Sequence, residues 1–257
     1  MTSEPQRYEG AELPDLGTLI SETFEEFIEN IGPYALAGVG HLLVLMPLTG
    51  VLLLGGYTIA LGLGLVVFLG LGLATTLVSE DLAIIGMLVG QLGIFGCMFV
   101  GFILAGLLLG AVMAPLNGSL IRSVARHQRG EAPLTFTAAF SDAGTDAVKM
   151  ILATWLLGVA SLVGVFFCYL PVLLVPLFLG FVTTMVALHG SRPREAAAAN
   201  IRHVLVHLEW HLPYFLISIA MALIANYIPI LGPMFLTAFH CRTHRHLFGD
   251  GASPNLA

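Results

Sequence analysis

Apolar residues fall along the chain in four long runs separated by short polar stretches. From Tyr34 to Val78 no Asp, Glu, Lys or Arg occurs, a run of 45 residues, about twice the roughly 20 that one membrane-spanning helix needs. The pattern predicts a helical hairpin broken at Gly55-Gly56-Tyr57, where two glycines loosen the helix and a tyrosine suits the interface. Ser79-Glu80-Asp81 then ends its second helix. The next run, Leu82 to Ile121, has Gln91, Asn117 and Ser119 as its clearly polar members; it is long enough for two helices but carries no turn signal near its middle. Met150 to Cys168 and Val172 to His189 flank Tyr169-Leu170-Pro171 and read as a third hairpin. Leu212 to Phe239, interrupted by Tyr227-Ile228-Pro229 and by Pro233, reads as a fourth, because proline removes a backbone donor and clashes with the preceding turn.

Three segments between or before these runs have one apolar face. Residues 13 to 31 set Leu13, Leu16, Ile20, Phe24, Phe27, Ile28 and Ile31 on one side of a helix and Glu22, Glu25, Glu26 and Glu29 on the other. Helices that bind anionic lipid carry Lys and Arg on the polar face, so these four glutamates point to docking on protein, with a solvated acidic face as the plainer alternative. Residues 133 to 149, with Phe136 and Phe140 four apart, predict a second surface helix. A polar helix is expected from about Arg194 to Trp210.

Composition places these runs in a membrane. Hydrophobic residues make up 57% of the 257, charged residues 10%, and the mean hydropathy is +0.92, whereas soluble domains carry about a quarter charged residues. A water-soluble globular protein is excluded, and the expected fold is an all-α, polytopic helical membrane bundle with six to eight membrane-embedded helices in hairpins plus interfacial amphipathic helices. Eight of the sixteen acids precede residue 31, with Arg7 the only base among them. Apart from Lys149, the remaining bases gather at Arg122, Arg126 and Arg129, at Arg192, Arg194 and Arg202, and at Arg242 and Arg245. If every long run is a hairpin, all these arginines and both termini fall on one side, as the excess of Lys and Arg in cytoplasmic loops requires. That reading gives an integral protein of a bacterial inner membrane with both termini cytoplasmic; the chain start lacks the pattern of a cleavable leader, so the first membrane helix serves as its own signal.

Ala114-Pro115 followed by Arg122, Arg126 and Gly130-Glu131 is echoed by Gly232-Pro233, then His240, His244 and Gly249-Asp250, a loose internal duplication. The expected organisation is an acidic tail and amphipathic helix over 1–32, a first membrane half over 33–131, a second over 132–249 and a tail over 250–257. Cys97, Cys168 and Cys241 show no metal or disulfide spacing, and no basic patch suits nucleic acid.

Glycines dominate the second run. Gly86 with Gly90, and Gly106 with Gly110, are small-xxx-small spacings that let helix backbones approach where lipid gives no hydrophobic drive. Histidines are the candidates for sharper chemistry. His203, His207 and His211 recur at i, i+4 and i+8, with His240 and His244 later, and imidazoles four apart share a face that can hold a metal or a haem. Against this, the stripe Ile201, Val204, Leu205, Leu208 and Leu212 turns His203 and His207 to the wet side of one helix, where solvation explains them. Inside the runs His41, Gln91 and Asn226 are the polar residues that can line a solute path, but no buried Asp, Glu, Lys or Arg offers ion coupling. No catalytic triad, phosphate loop or HExxH occurs, so no enzyme activity is expected and no cofactor is required beyond the metal or haem of the histidine reading.

The Phe-bearing surface helices (Phe24 and Phe27; Phe136 and Phe140), the Ser191-Arg192-Pro193-Arg194-Glu195-Ala196 linker and a late proline followed by a basic helix resemble a group of uncharacterised bacterial multi-pass membrane proteins. The group includes the membrane domain attached to some glycerophosphodiester phosphodiesterases. The catalytic domain of those enzymes has no counterpart here, so the resemblance implies a membrane fold and no phosphodiesterase activity. Three functions follow as expectations: a non-enzymatic scaffold or accessory subunit, partnered by lipid and by a homo-oligomer or other membrane proteins; a carrier for a lipid or other apolar solute; and a metal- or haem-binding membrane subunit.

Overall fold

A computed structural model describes residues 13–76, 80–166 and 170–249. The acids Glu4, Glu9 and Glu12, the Ser79 and Tyr169 turn positions, Cys168 and the tail over 250–257 lie outside the described residues. Ten helices and no strand are found among those described, as the helical periodicity predicts. Four of them contain stretches long and apolar enough to cross a membrane, Ile31–Leu71, Ile84–Gln128, Ala147–Gly164 and Leu208–Ala225, and a shorter apolar stretch covers Leu174–His189.

The first two runs do not fold back as the expected hairpins. Helix α2 (Ile31–Thr76) continues through Gly55-Gly56-Tyr57 without a break, and α3 (Glu80–Gln128) is equally uninterrupted. At about 1.5 Å per residue these helices are about 69 Å and about 74 Å long, more than twice the hydrocarbon thickness of a bilayer.

By contacts the chain divides into two compact units, residues 44–111 and residues 1–43 with 112–257. Residues 44–111 form an arm of two helical segments held together by small residues. Gly56 meets Ala105, Gly101 meets Ala60, Gly64 meets Ile94, and Gly90 meets Phe68. Of the two glycines expected to loosen α2, Gly56 instead lets Ala105 of the neighbouring helix close in, while Gly55 faces open space. Most of the large apolar side chains described in the arm are exposed; Leu54 and Leu92 are each 71% exposed and Phe95 69%.

The other unit has the core. Its α1 (Leu16–Glu29) is capped by Asp15, whose carboxylate accepts from the Thr18 N–H at 2.8 Å and from its hydroxyl at 3.0 Å. Those bonds, the backbone one foremost, hold the Asp15 carboxyl below its usual range. Leu19, Thr23 and Phe27 form the buried face of α1, and the indole N–H of Trp210 donates to the Pro14 carbonyl at 2.8 Å, pinning the chain just before the helix. The surface helix expected over 133–149 is reduced to α4 (Ala138–Ser141). Arg126 pairs with the Asp142 carboxylate at 2.5 Å, Arg122 takes the Asp142 and Thr145 carbonyls, and Asp146 adopts a positive φ of 52°, which a continuing right-handed helix excludes.

Helix α5 (Ala147–Phe166) is followed by α6 (Leu170–Leu179) and α7 (Val182–His189), with the interruption at Gly180, where a Cβ would strike the Pro176 carbonyl. Gly190 closes α7 with φ 62°. Pro193 starts α8 (Pro193–Val206) at a position where its missing N–H costs nothing. The helix expected to run to Trp210 ends here, since His207 sits at φ −120°, ψ 42°, and α9 (Leu208–Ala225) begins anew. The break predicted at Tyr227-Ile228-Pro229 is present and separates α9 from α10 (Leu231–Phe248).

Candidate functional site

Glu26 is the polar centre of the α1 face. Its carboxylate accepts from Arg242 on α10, from the Tyr34 hydroxyl at 3.0 Å and from the Gln128 amide at 3.5 Å. Arg242 also reaches Glu22 at 2.9 Å, and Gln128 donates onward to the Ala238 carbonyl at 3.0 Å. The side chains of Arg242 and Glu26 are 14% and 18% exposed, that of Glu22 48%. Two of the four glutamates that read as a docking face therefore hold α1 to this chain's own α10. Glu25 accepts from Ser21 on the same helix, and Glu29 is exposed.

The histidines form the second assembly, and they lie inside. His203 is 7% exposed and His211 1%, and Nδ1 of the first is 2.7 Å from Nε2 of the second; one of the pair donates and the other accepts. The wet-side placement of His203 fails because the helix restarts at Leu208, which turns His211 back over His203. The ring of His207 is 4.8 Å from that of His203. On the far side, Phe248 stands 5.0 Å from both His203 and His244. His244 packs 5.0 Å from His189, and Phe181 touches His211, His240 and His244. His189 was not singled out by its sequence position; it joins the others only because α7 packs on α10. Its ring nitrogens and those of His244 are buried and make no hydrogen bond among the described residues.

Burial sets the charge state of this assembly. It holds the His203 imidazole down to about 4, with His207 adding to the effect, and holds His244 down to about 3, with His189 adding. At neutral pH both rings are uncharged and buried among aromatics, His203 bonded to His211 and His244 held by packing. The five histidines offered by the sequence as metal ligands, His203, His207, His211, His240 and His244, share one core. Among the described residues, though, no three His, Cys, Asp or Glu side chains converge where a metal ion would be held.

No protein-family model matches the chain, and no curated protein or solved structure matches it.

The remaining expected positions scatter. Gly86 and Gly90 serve as packing sites against Thr75 and Phe68, whereas at Gly106 an added Cβ meets nothing within 4 Å; Gly110 lies within α3. Gly56, Gly64 and Gly101 pack against the facing helix as well and belong to a pattern that spans both helices and shows only when the two are paired. Of the polar residues offered as a solute path, His41 bonds Asn117 through Nε2 at 3.0 Å, Gln91 is exposed on the arm, and Asn226 terminates α9 with its backbone N–H turned to the Ala222 and Ile224 carbonyls. The feature nearest Asn226 is an apolar cleft of about 320 Å³ between α1 and the α9–α10 turn, lined by Phe24, Ile28, Ile224, Ile228 and Phe235 among others.

Proposed function

We propose that the chain is a non-enzymatic integral membrane protein that serves as a scaffold or accessory subunit of a membrane assembly. The observation that carries this reading is the arm of residues 44–111. It puts glycine and alanine between its helices and large aliphatic and aromatic side chains outside, the inverse of a water-soluble helix pair, and such a surface is at ease only in lipid or against protein. The catalytic motifs absent from the sequence and the histidines committed to packing add to it. Placement in a bacterial inner membrane with both termini cytoplasmic is part of the proposal. It is supported by the way Glu26, Gln128 and Arg242 gather the first helix, the arginine-rich end of α3 and the arginine-rich end of α10 at one place, as the positive-inside rule asks.

Extraction into mild detergent with native lipids, followed by intact-complex mass measurement, tests the proposal. A stoichiometric second protein or a defined homo-oligomer is the expected species. A lone monomer across detergents and lipid mixtures would sink it. A carrier for an apolar solute is the second reading, favoured by the cleft beside the α9–α10 break, and a single defined lipid on a monomer would move the balance there.

A further inference from the structure

We propose that the outward face of α8 is a binding surface for anionic phospholipid. This surface is independent of the scaffold reading and shares with it only the membrane. Helix α8 buries Ala196, Ala197, Asn200, His203 and Val204, which lie on one side of it. Along the opposite side Arg194, Ala198, Ile201 and Leu205 follow one another at spacings of four, three and four, with Arg202 and Val206 beside them. All six are exposed, Leu205 by 63% and Val206 by 58%. Guanidinium groups set among aliphatic side chains suit the zone where headgroup phosphates meet acyl chains. There an arginine lays its stem on the apolar surface and lifts its charge to a phosphate.

The way the chain spends its other cations sets this face apart. Arg126 is held by Asp142, Arg129 by Glu131, Lys149 by Asp146, Arg242 by Glu22 and Glu26, and Arg122 by backbone carbonyls. Arg192 stands 3.9 Å from Glu195 and is partly spent on it. Arg194 and Arg202 make no hydrogen bond or ion pair among the described residues. Helix stability does not explain Arg194 either, since it sits in the first turn of α8, where the macrodipole disfavours a cation. The place of α8 in the chain favours lipid over an acidic protein. It runs without a linker into α9, whose Leu208–Ala225 stretch is apolar enough to cross a membrane, so Arg202 and Leu205 stand within two turns of that stretch, at headgroup depth. The exposed acid nearby, Glu209, lowers the net charge of the surface without pairing either arginine.

The test uses the full chain with its three cysteines replaced by serine and a single thiol returned by Leu205→Cys or by Leu54→Cys. Each thiol carries a bimane, and the protein is reconstituted in phosphatidylcholine vesicles containing brominated phosphatidylglycerol or brominated phosphatidylcholine, so that quenching reports which acyl chains touch the label. At position 205 the brominated phosphatidylglycerol should quench roughly fivefold more effectively at equal mole fraction, the factor that about 1 kcal/mol for one cation at an anionic surface gives. Salt at about 1 M should remove the preference. Arg194→Gln combined with Arg202→Gln, at exposed and unpaired positions, should leave the fold intact and bring the two lipids level. Position 54, on an arm without arginine, should be quenched equally by both. Equal quenching at position 205 in the parent, or a preference that survives both glutamine changes, overturns the proposal. Quenching at 54 with none at 205 also overturns it, by showing the α8 face wet or covered by protein while the membrane reading stands. Quenching at neither position would remove the membrane reading as well.

Discussion

A carboxylate that receives three donors at a protein surface fixes its neighbours strongly, and Glu26 is such a group. Arg242→Gln leaves Glu26 largely buried without its cation, and breaking a buried pair from one side costs more than the pair contributes intact. The expected loss is about 2 kcal/mol, discounted for the partial exposure of both side chains; Glu22→Gln, at a half-exposed carboxylate, should cost less than about 0.5 kcal/mol. Chemical denaturation in detergent measures both, and the emission of Trp210, tied to Pro14 just before α1, reports whether the helix lifts away. Equal effects of the two substitutions would refute the central place given to Glu26. The buried histidines make a second prediction at this scale. His203 and His244 are held below the ordinary value of about 6.5, so the unfolded chain binds their protons first as pH falls. Their contribution to stability is complete above about pH 6.5 and declines on the order of a few kcal/mol as pH falls, levelling off near pH 4 for His203 and continuing toward pH 3 for His244. Thermal unfolding followed from pH 7.5 to 4 should show that decline, and His244→Leu should flatten it.

The helices owe their spacing to positions where no side chain fits. At Gly101 a Cβ would run into Ala60, and at Gly232 into the backbone of Ala225 at the α9–α10 turn. Gly101→Leu should therefore wedge the arm open and Gly232→Val should strain the turn, each lowering stability by about 1–3 kcal/mol. Gly106→Leu, facing open space, should leave thermal stability in detergent within about 0.5 kcal/mol of the parent. The same glycines show where sequence reading stops. The helical class, the acidic amphipathic α1 and the break at Tyr227-Ile228-Pro229 are legible because each depends on residues close in sequence. Whether Gly55-Gly56 turns a helix or admits a neighbour depends on Ala105, some fifty positions away, and a local signal reads the two alike. The histidine core was half legible. His203, His207 and His211 stand out by spacing, but their burial follows from the restart at Leu208, and the contribution of His189 follows from tertiary packing alone.

For the molecule as a whole, unbroken α2 and α3 change what faces each side of the membrane. With hairpins at both runs, the Glu80-Asp81 connection returns to the face that carries the arginines. With one crossing each, it lies on the opposite face. The arginines after α3 end on the same side either way, and acids count little in the positive-inside rule, so charge bias cannot separate the two arrangements. Distance can. Spin labels at Val44 and Leu71 sit 27 residues apart, about 40 Å along a single helix, whereas a hairpin turning at Gly55-Gly56 would bring them to roughly 15 Å or less, close to the 8–10 Å between packed helices. The expected dipolar distance in vesicles is the longer one. A membrane-impermeant maleimide should then label Glu80→Cys, in a chain without other cysteines, from the face opposite to that which labels Arg129→Cys. A short distance with both thiols labelled from one side would restore the hairpin, and with it an eight-helix topology. The long distance with labelling from opposite sides fixes the arm as a pair of single crossings, with its apolar surface free along its length to meet a partner.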